Sequence, residues 1–306
     1  IVTRTAGSQF PVTVNATDRY WNRNVTFNPA GAQLSCDGFS DYTGDGKGQI
    51  SVNLANGTSI YYLSFLSTGT WSINATHTDY TGYNSNQIPT NPGNASKLLV
   101  VLPNEVPHPL KAPGRDTVGS TDQTAGTAFK VKVYSCDQYF NYQPSEAPNS
   151  QIELQMSDKY ASPPTNLTLQ NGTTEFWVTL VTAGTATVTA IDRTAPTMSS
   201  NTSTIFNINA GAAKRLLVLS DSSEYNVKGS STGRAGTVSA KTAGVSFAVT
   251  IQACDQYFNP ITDPAQTSQV HVNTTEKWDV EPSTHPLVNG ATVAHVILYT
   301  KAGNHY

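Results

Sequence analysis

Apolar residues recur at every second position in three stretches of the chain. Phe10, Val12, Val14 and Ala16 are interleaved with Pro11, Thr13, Asn15 and Thr17. The same spacing places Phe129, Val131 and Val133 in a second stretch, and Phe247, Val249, Ile251 and Ala253 in a third. A period of two sends successive side chains to opposite faces of an extended backbone, so each stretch predicts a strand with one face on a core. Ala-Gly precedes each strand, at Gly7, Gly126 and Gly244, and supplies a turn.

The agreement extends beyond these strands. "SKLLVVLP" (96–103) matches "AKRLLVLS" (213–220), and "QIELQM" (151–156) matches "QVHVNT" (269–274) and, loosely, "AQLSC" (32–36). "TEFWVTLVTAGTATVTAID" (174–192) matches "SIYYLSFLSTGTWSINATH" (59–77), and the third copy of this template stops at Tyr306, part-way through its last strand. No window of ten residues carries a helical period. Many short alternating strands with turns between them predict an all-β chain of tandem β-sandwiches without significant helix. The units are 1–94, which lacks an opening strand; 95–211, which is complete; and 212–306, which lacks a closing one. A missing edge strand exposes apolar surface and unpaired backbone. The expectation is therefore either a window onto a longer array or completion of the open ends by neighbouring molecules. The polar stretches 79–96 and 193–213 read as the connectors between units.

Composition narrows the function classes. Charged residues make up 13% of the 306, and the net charge of −3 gives no field for nucleic acid. No apolar run approaches the roughly 18–20 residues of a membrane helix, so no membrane insertion is expected. The first residue is Ile1, with neither an initiator Met nor a signal peptide, which suggests a mature or excised piece. Asn-x-Ser/Thr occurs at Asn15, Asn24, Asn56, Asn74, Asn94, Asn166, Asn171, Asn201 and Asn273. Such acceptors belong on the exposed faces of secreted proteins, which implies covalent N-linked glycans and an extracellular or cell-surface location. Three cysteines, at 36, 136 and 254, leave one over from any internal pair. Inert half-buried thiols and a link to a neighbouring chain are both open.

The chain's most conspicuous motif is "CDQYFN", at 136–141 and again at 254–259, with a looser "TDRYWN" at 17–22. The copies recur about every 118 residues and follow the alternating strand directly. Asp accepts hydrogen bonds from amides two or three residues on, Asn tolerates left-handed backbone, and Tyr covers a core end. Asp18, Tyr20, Asn22, Asp137, Tyr139, Asn141, Asp255, Tyr257 and Asn259 are therefore assigned as structural turn residues. A calcium site is the rival reading, but each copy offers a single acid. Asp37, Asp41 and Asp45 in "CDGFSDYTGDGKGQ" lack calcium-loop spacing and read as a glycine-rich hairpin. No metal or cofactor is expected. The six histidines are scattered, no nucleophile or phosphate-loop motif occurs, and the pairs Asp221/Glu224 and Asp279/Glu281 lie in polar segments, so no enzyme is expected.

"AGTAFKVKVYSCDQYFN" and "AGVSFAVTIQACDQYFN" resemble a segment of the immunoglobulin-like repeats of bacterial surface proteins and adhesins, and are similar to filamin-type repeats. The resemblance covers all three units and implies seven-stranded immunoglobulin-like sandwiches, extracellular display and a structural or adhesive role. Those families carry Gly before the final Asn, where this chain has Trp21, Phe140 and Phe258, which predicts a different turn with an aromatic at the corner. The leading functional expectation is a glycosylated extracellular fibre, stalk or surface layer, whose partners are copies of itself or further repeats of the same chain. The alternatives are an adhesin, with Tyr80, Tyr83, Trp21 and Trp278 available to stack on sugars or a host protein, and a spacer attached to an enzyme.

Overall fold

The computed structural model describes residues 2–36, 49–144, 150–194, 198–220, 223–262, 268–279 and 284–300. All regular elements among them are strands. The three alternating stretches are the central strands Phe10–Asn15, Phe129–Cys136 and Phe247–Cys254.

In the second repeat, Phe129–Cys136 runs antiparallel between Lys97–Val101 and Thr173–Val178. Its burial alternates along Phe129, Val131 and Val133 as the period of two requires. A second sheet holds Leu167–Thr168, Gln151–Met156, Val188–Asp192 and Asn201–Thr202, in that order. A ribbon of Gln123–Thr124, Phe206–Asn209 and Gly184–Ala186 adds a parallel pairing between its first two members. The inward side chains of all three groups, among them Val131, Ile152, Leu154, Phe176, Val188 and Phe206, share one core. This is an all-β immunoglobulin-like sandwich, and burial of each large apolar side chain contributes about 1.5–3 kcal/mol.

The flanking repeats use the same plan. In the first, Phe10–Asn15 pairs with Thr58–Leu63; Gln49–Val52, Ala32–Cys36, Ile73–His77 and Tyr80–Asn84 form the opposing sheet; Arg4–Thr5, Ile88–Asn91 and Gly69–Trp71 form the ribbon. In the third, Phe247–Cys254 lies between Arg215–Leu219 and Ala291–Val296, and Gln269–Val270 pairs with His285–Pro286. Among the described residues, Phe10–Asn15 is paired along one edge only, whereas its two counterparts are paired along both.

The expected connectors contain strands. Tyr80–Asn84, Ile88–Asn91, Asn201–Thr202 and Phe206–Asn209 lie within the two polar stretches, which leaves 92–96 and 210–214 as the actual links. The period of two is too brief there to register. Only Phe206 and Ile208 turn inward from their strand, and Asn207 and Asn209 face out.

A buried ion pair ties the second repeat together. A short hairpin, Glu105–Pro107 with Arg115–Thr117, folds back so that Arg115 Nε lies 3.7 Å from Glu105 Oε1, both side chains being at most 2% exposed. Arg115 also donates to the carbonyls of Val100 (2.7 Å) and Thr202 (2.6 Å) and to Asn201 Oδ1 (2.9 Å). The third repeat repeats the pair as Arg234 and Glu224, 3.9 Å apart, but the Arg234 side chain is 54% exposed.

Candidate functional site

The recurring hexapeptide forms the same corner three times. The Oδ1 atoms of Asp18, Asp137 and Asp255 each accept from the amide two residues on at 2.8 Å and from the amide four residues on at 3.0 Å. The Oδ2 atoms accept from the Asn side chain at the end of each motif, at 2.8–3.0 Å. These bonds hold the Asp18 carboxyl below its ordinary value, chiefly through Asn22.

The residue before each Asn is left-handed, with φ of 67° at Trp21, 64° at Phe140 and 61° at Phe258. The backbone thus keeps the shape that favours glycine while carrying an aromatic side chain. In the second repeat, Phe140 packs beside Leu99, Val101 and Cys136, with Lys97 Nζ 4.3 Å from its ring centroid. In the third, Phe258 packs beside Leu217, Leu219 and Cys254, with Arg215 in the same place at 4.8 Å. Gly114 and Gly233 close over these rings: a Cβ at either would stand 2.2–2.4 Å from ring carbon. Among the described residues no such hairpin lies above Trp21, which packs edge-on against Tyr83, 4.6 Å away.

The corners of the second and third repeats also reach into the repeat before them. Asn141 Nδ2 donates to the Leu66 carbonyl at 2.7 Å, and the Thr68 amide donates to Asn141 Oδ1 at 3.0 Å. Asn259 repeats both bonds with the Val181 carbonyl (2.8 Å) and the Ala183 amide (2.7 Å). In the links, the Gly93 and Gly211 amides donate to Asp137 Oδ2 and Asp255 Oδ2, both at 2.9 Å. Tyr139 lies over Gly7 and Tyr257 over Gly126, so closely that a Cβ there would meet ring carbon at 2.7 and 2.4 Å. Tyr257 also packs against the core of the second repeat. The Ala-Gly turn of one repeat is therefore the seat for the hexapeptide of the next. Asp137, Asn141, Asp255 and Asn259 are at most 2% exposed.

The seat is held from behind by a carboxylate. Asp158 Oδ2 accepts from the Val181 and Thr182 amides (2.7 and 2.8 Å), and its Oδ1 accepts from the Thr182 hydroxyl at 2.7 Å. Burial alone would raise the Asp158 pKa, but the bonds from Thr182, Val181 and Tyr160 outweigh it and hold the carboxyl below its ordinary value. Glu276 does the same work in the third repeat, accepting from the Tyr299 and Thr300 amides at 2.7 and 2.6 Å.

All three cysteines are buried thiols outside any disulfide. Burial pushes the Cys136 thiol up to about 12 and the Cys254 thiol up to about 11, and the adjacent Asp137 and Asp255 add to this. Of the nine sequon asparagines, Asn15, Asn24, Asn56, Asn94, Asn166, Asn171 and Asn273 are exposed. Asn74 and Asn201 are half-buried, and Asn201 Oδ1 accepts from the Val100 amide as well as from Arg115. Asn56 and Asn171 sit at left-handed positions before Gly57 and Gly172, at the tips of tight hairpins.

Asp37, Asp41, Asp45, Asp221, Glu281 and His305 lie outside the described residues. Among the described ones, no three His, Cys, Asp or Glu side chains are grouped to hold a metal ion, and no helix is long and apolar enough to cross a membrane. A small cavity beside Leu34, Ser35, Cys36, Ile50 and Leu63 is a packing gap in the first core. In the first repeat Phe27 packs edge-on against Tyr80 at 4.7 Å and Trp21 against Tyr83, and exposed aromatics also occur in the second repeat, Trp177 among them. Trp278 is exposed in the third.

Three of these features escaped the sequence reading. The meeting of the Ala-Gly turn with the next hexapeptide was signalled only by the shared period of the two motifs. The repeated Asn-Gly, at 56, 171 and 289, was a readable hairpin signal. The clamps Asp158 and Glu276 differ in residue type, and nothing in the sequence paired them.

No protein-family model matches the chain, and no curated protein matches it. Among solved structures, it is similar to the adhesin FdeC of Escherichia coli, at 15% identity over 99% of this chain and 87% of that one, with a TM-score of 0.33. It is similar to the D0-D1 domain of intimin at 12% identity, over 68% and 94% of the two chains, with a TM-score of 0.28. Domains 4 and 5 of the S-layer protein SbsC match at 15% identity, over 64% and 80%, with a TM-score of 0.24.

Proposed function

We propose that this chain is a structural segment of an extracellular fibre, stalk or cell-surface layer, in which immunoglobulin-like sandwiches are joined end to end at fixed angles and coated with N-linked glycans. One observation carries the reading: both joints are built from the same residues in the same geometry. An active site that recurs keeps its reactive groups; here the recurring polar groups are spent on joining neighbours. Links of five residues leave little slack. Buried Asp and Asn side chains bonded across the joint resist bending, because breaking a bond there leaves a buried polar group unpaired. Seven exposed sequon asparagines suit a surface clothed in sugar. No role for catalysis is included.

Single-particle electron microscopy of the 306-residue protein tests this. Narrow distributions of bend angle at both joints are expected, broadening at the second joint in Asn259→Ala. Freely jointed sandwiches in the unaltered protein would rule the reading out.

A second reading is adhesion, favoured by the two aromatic pairs Trp21–Tyr83 and Phe27–Tyr80. Sugar rings stack on such faces. A glycan array probed with the unaltered chain and with Trp21→Ala/Tyr83→Ala is the measurement. Binding lost in the double variant supports adhesion, and no binding at high concentration removes it.

A further inference from the structure

We propose that the exposed ring of Tyr142 is a binding surface for an N-acetylhexosamine, on which the first sugar of a glycan carried by Asn171 packs. The proposal rests on the glycan coat in the reading above and names a place where that coat becomes part of the fold.

Two hairpins of the chain are built alike. Asn56-Gly57-Thr58 and Asn171-Gly172-Thr173 are both sequons, and both begin with a left-handed Asn, at φ of 52° and 49°. Each is closed by the same pairing, Ala55 with Thr58 and Gln170 with Thr173. Each glycine lies against the segment that follows the hexapeptide. A Cβ on Gly57 would stand 2.0 Å from the Asn24 carbonyl oxygen, and one on Gly172 would stand 2.3 Å from that of Gln143. Asn56 and Asn171 are both exposed, so both sites are open to a glycan.

The two sites differ in what stands beside them. Tyr142 pairs with Cys136, and Arg23 pairs with Thr17 in the same place. Tyr142 Oη donates to the Asn171 carbonyl, which puts the tip of the ring at the residue that would bear the sugar. Tyr134 meets the same ring edge-on, with centroids 5.6 Å apart and an interplanar angle of 87°. Held at both places, Tyr142 is still 38% exposed. The first repeat has neither aromatic: Arg23 replaces Tyr142, and Asn15 opposes Thr58 where Tyr134 opposes Thr173. The third repeat has the same turn at Asn289-Gly290, but Ala291 replaces the sequon threonine and Pro260 replaces Tyr142.

A β-linked N-acetylglucosamine presents one face of axial C–H groups, which is the apolar face an aromatic ring accepts. Tyr142 is already ordered by Tyr134 and by its hydroxyl bond, so packing a sugar on it costs little side-chain freedom. The sugar is tethered to a residue the ring touches, so the contact forms at high effective concentration. Arg23 offers no such ring, and a glycan on Asn56 should project into solvent.

The test uses the full chain, secreted from an N-glycosylating host fed carbon-13-labelled N-acetylglucosamine and trimmed enzymatically to the first sugar. Nuclear Overhauser contacts between the Asn171 sugar and the Tyr142 ring are expected, with sugar C–H signals shifted upfield of those on Asn56. Tyr142→Phe should keep both, and Tyr142→Arg, which installs the residue of the first repeat, should abolish both. Hydrogen exchange at the Thr173 amide separates this from a purely structural tyrosine. Relative to the same chain made without glycan in a bacterial host, the sugar should slow exchange about three- to tenfold, and should have no effect in Tyr142→Arg. Sugar signals on Asn171 without ring contacts, or an equal effect of the sugar in both backgrounds, overturn the platform while the coat stands. Asn171 left bare while other exposed sequons carry sugar does the same. If every sequon is bare, the coat falls as well.

Discussion

At the scale of single residues, the corner sets two energies against each other. A left-handed conformation costs a non-glycine residue about 1–2 kcal/mol, whereas burying a phenylalanine contributes about 1.5–3 kcal/mol. Phe140 recovers the cost beneath the Gly114 hairpin; Trp21, 63% exposed, recovers less. Phe140→Gly should therefore lower stability by about 1 kcal/mol, and Trp21→Gly should leave it unchanged or raised, as read by denaturant unfolding. The thiols give a second outcome. With Cys136 and Cys254 pushed up to about 12 and 11 and fully buried, the native protein should resist alkylation at neutral pH. Thiol titration should find all three only after unfolding. The sequence placed an aromatic at the corner but predicted a different turn, because residue type alone does not report that packing outweighs strain.

Among elements, the central strands were legible because from Phe10, Phe129 and Phe247 onward the core-facing apolar residues alternate with more exposed ones. The closing strands were not, since a two-residue pattern among Asn and Thr is indistinguishable from a loop. The buried Arg115–Glu105 pair was hidden for another reason: its partners at Val100, Asn201 and Thr202 come from opposite ends of the repeat. Removing one member leaves a buried charge, so Arg115→Ala should cost about 3–5 kcal/mol in urea unfolding, with Arg234→Ala costing much less because Arg234 is exposed. Asn201 belongs to this cluster, and glycopeptide mass spectrometry should find its sequon less occupied than the seven exposed ones. The seat responds to acid. Asp158 is held below its ordinary 3.8, so its stabilisation is whole above that value and is lost as pH falls through the lower folded-state value. Hydrogen exchange at the Val181 and Thr182 amides should accelerate relative to the core only below about pH 4, and Asp158→Asn should show the acceleration at neutral pH.

For the whole molecule, the hexapeptide was read as a corner of one sandwich, and each Asp bonds amides two and four residues on within its own repeat. It is also the contact between sandwiches, which a sequence read repeat by repeat does not express, because the two motifs that meet belong to different units. The chain therefore encodes its joints with the residues it uses to turn a strand, and a substitution at Asp137 or Asp255 acts on both at once. This arrangement has a mechanical consequence. Pulled from its ends, the chain carries force through its joints in series, and each joint rests on a handful of hydrogen bonds while each sandwich rests on a full core. The joints should yield first and reversibly, each releasing at most about 17 Å of five-residue link before any sandwich unfolds, so the protein would lengthen in small equal steps under load.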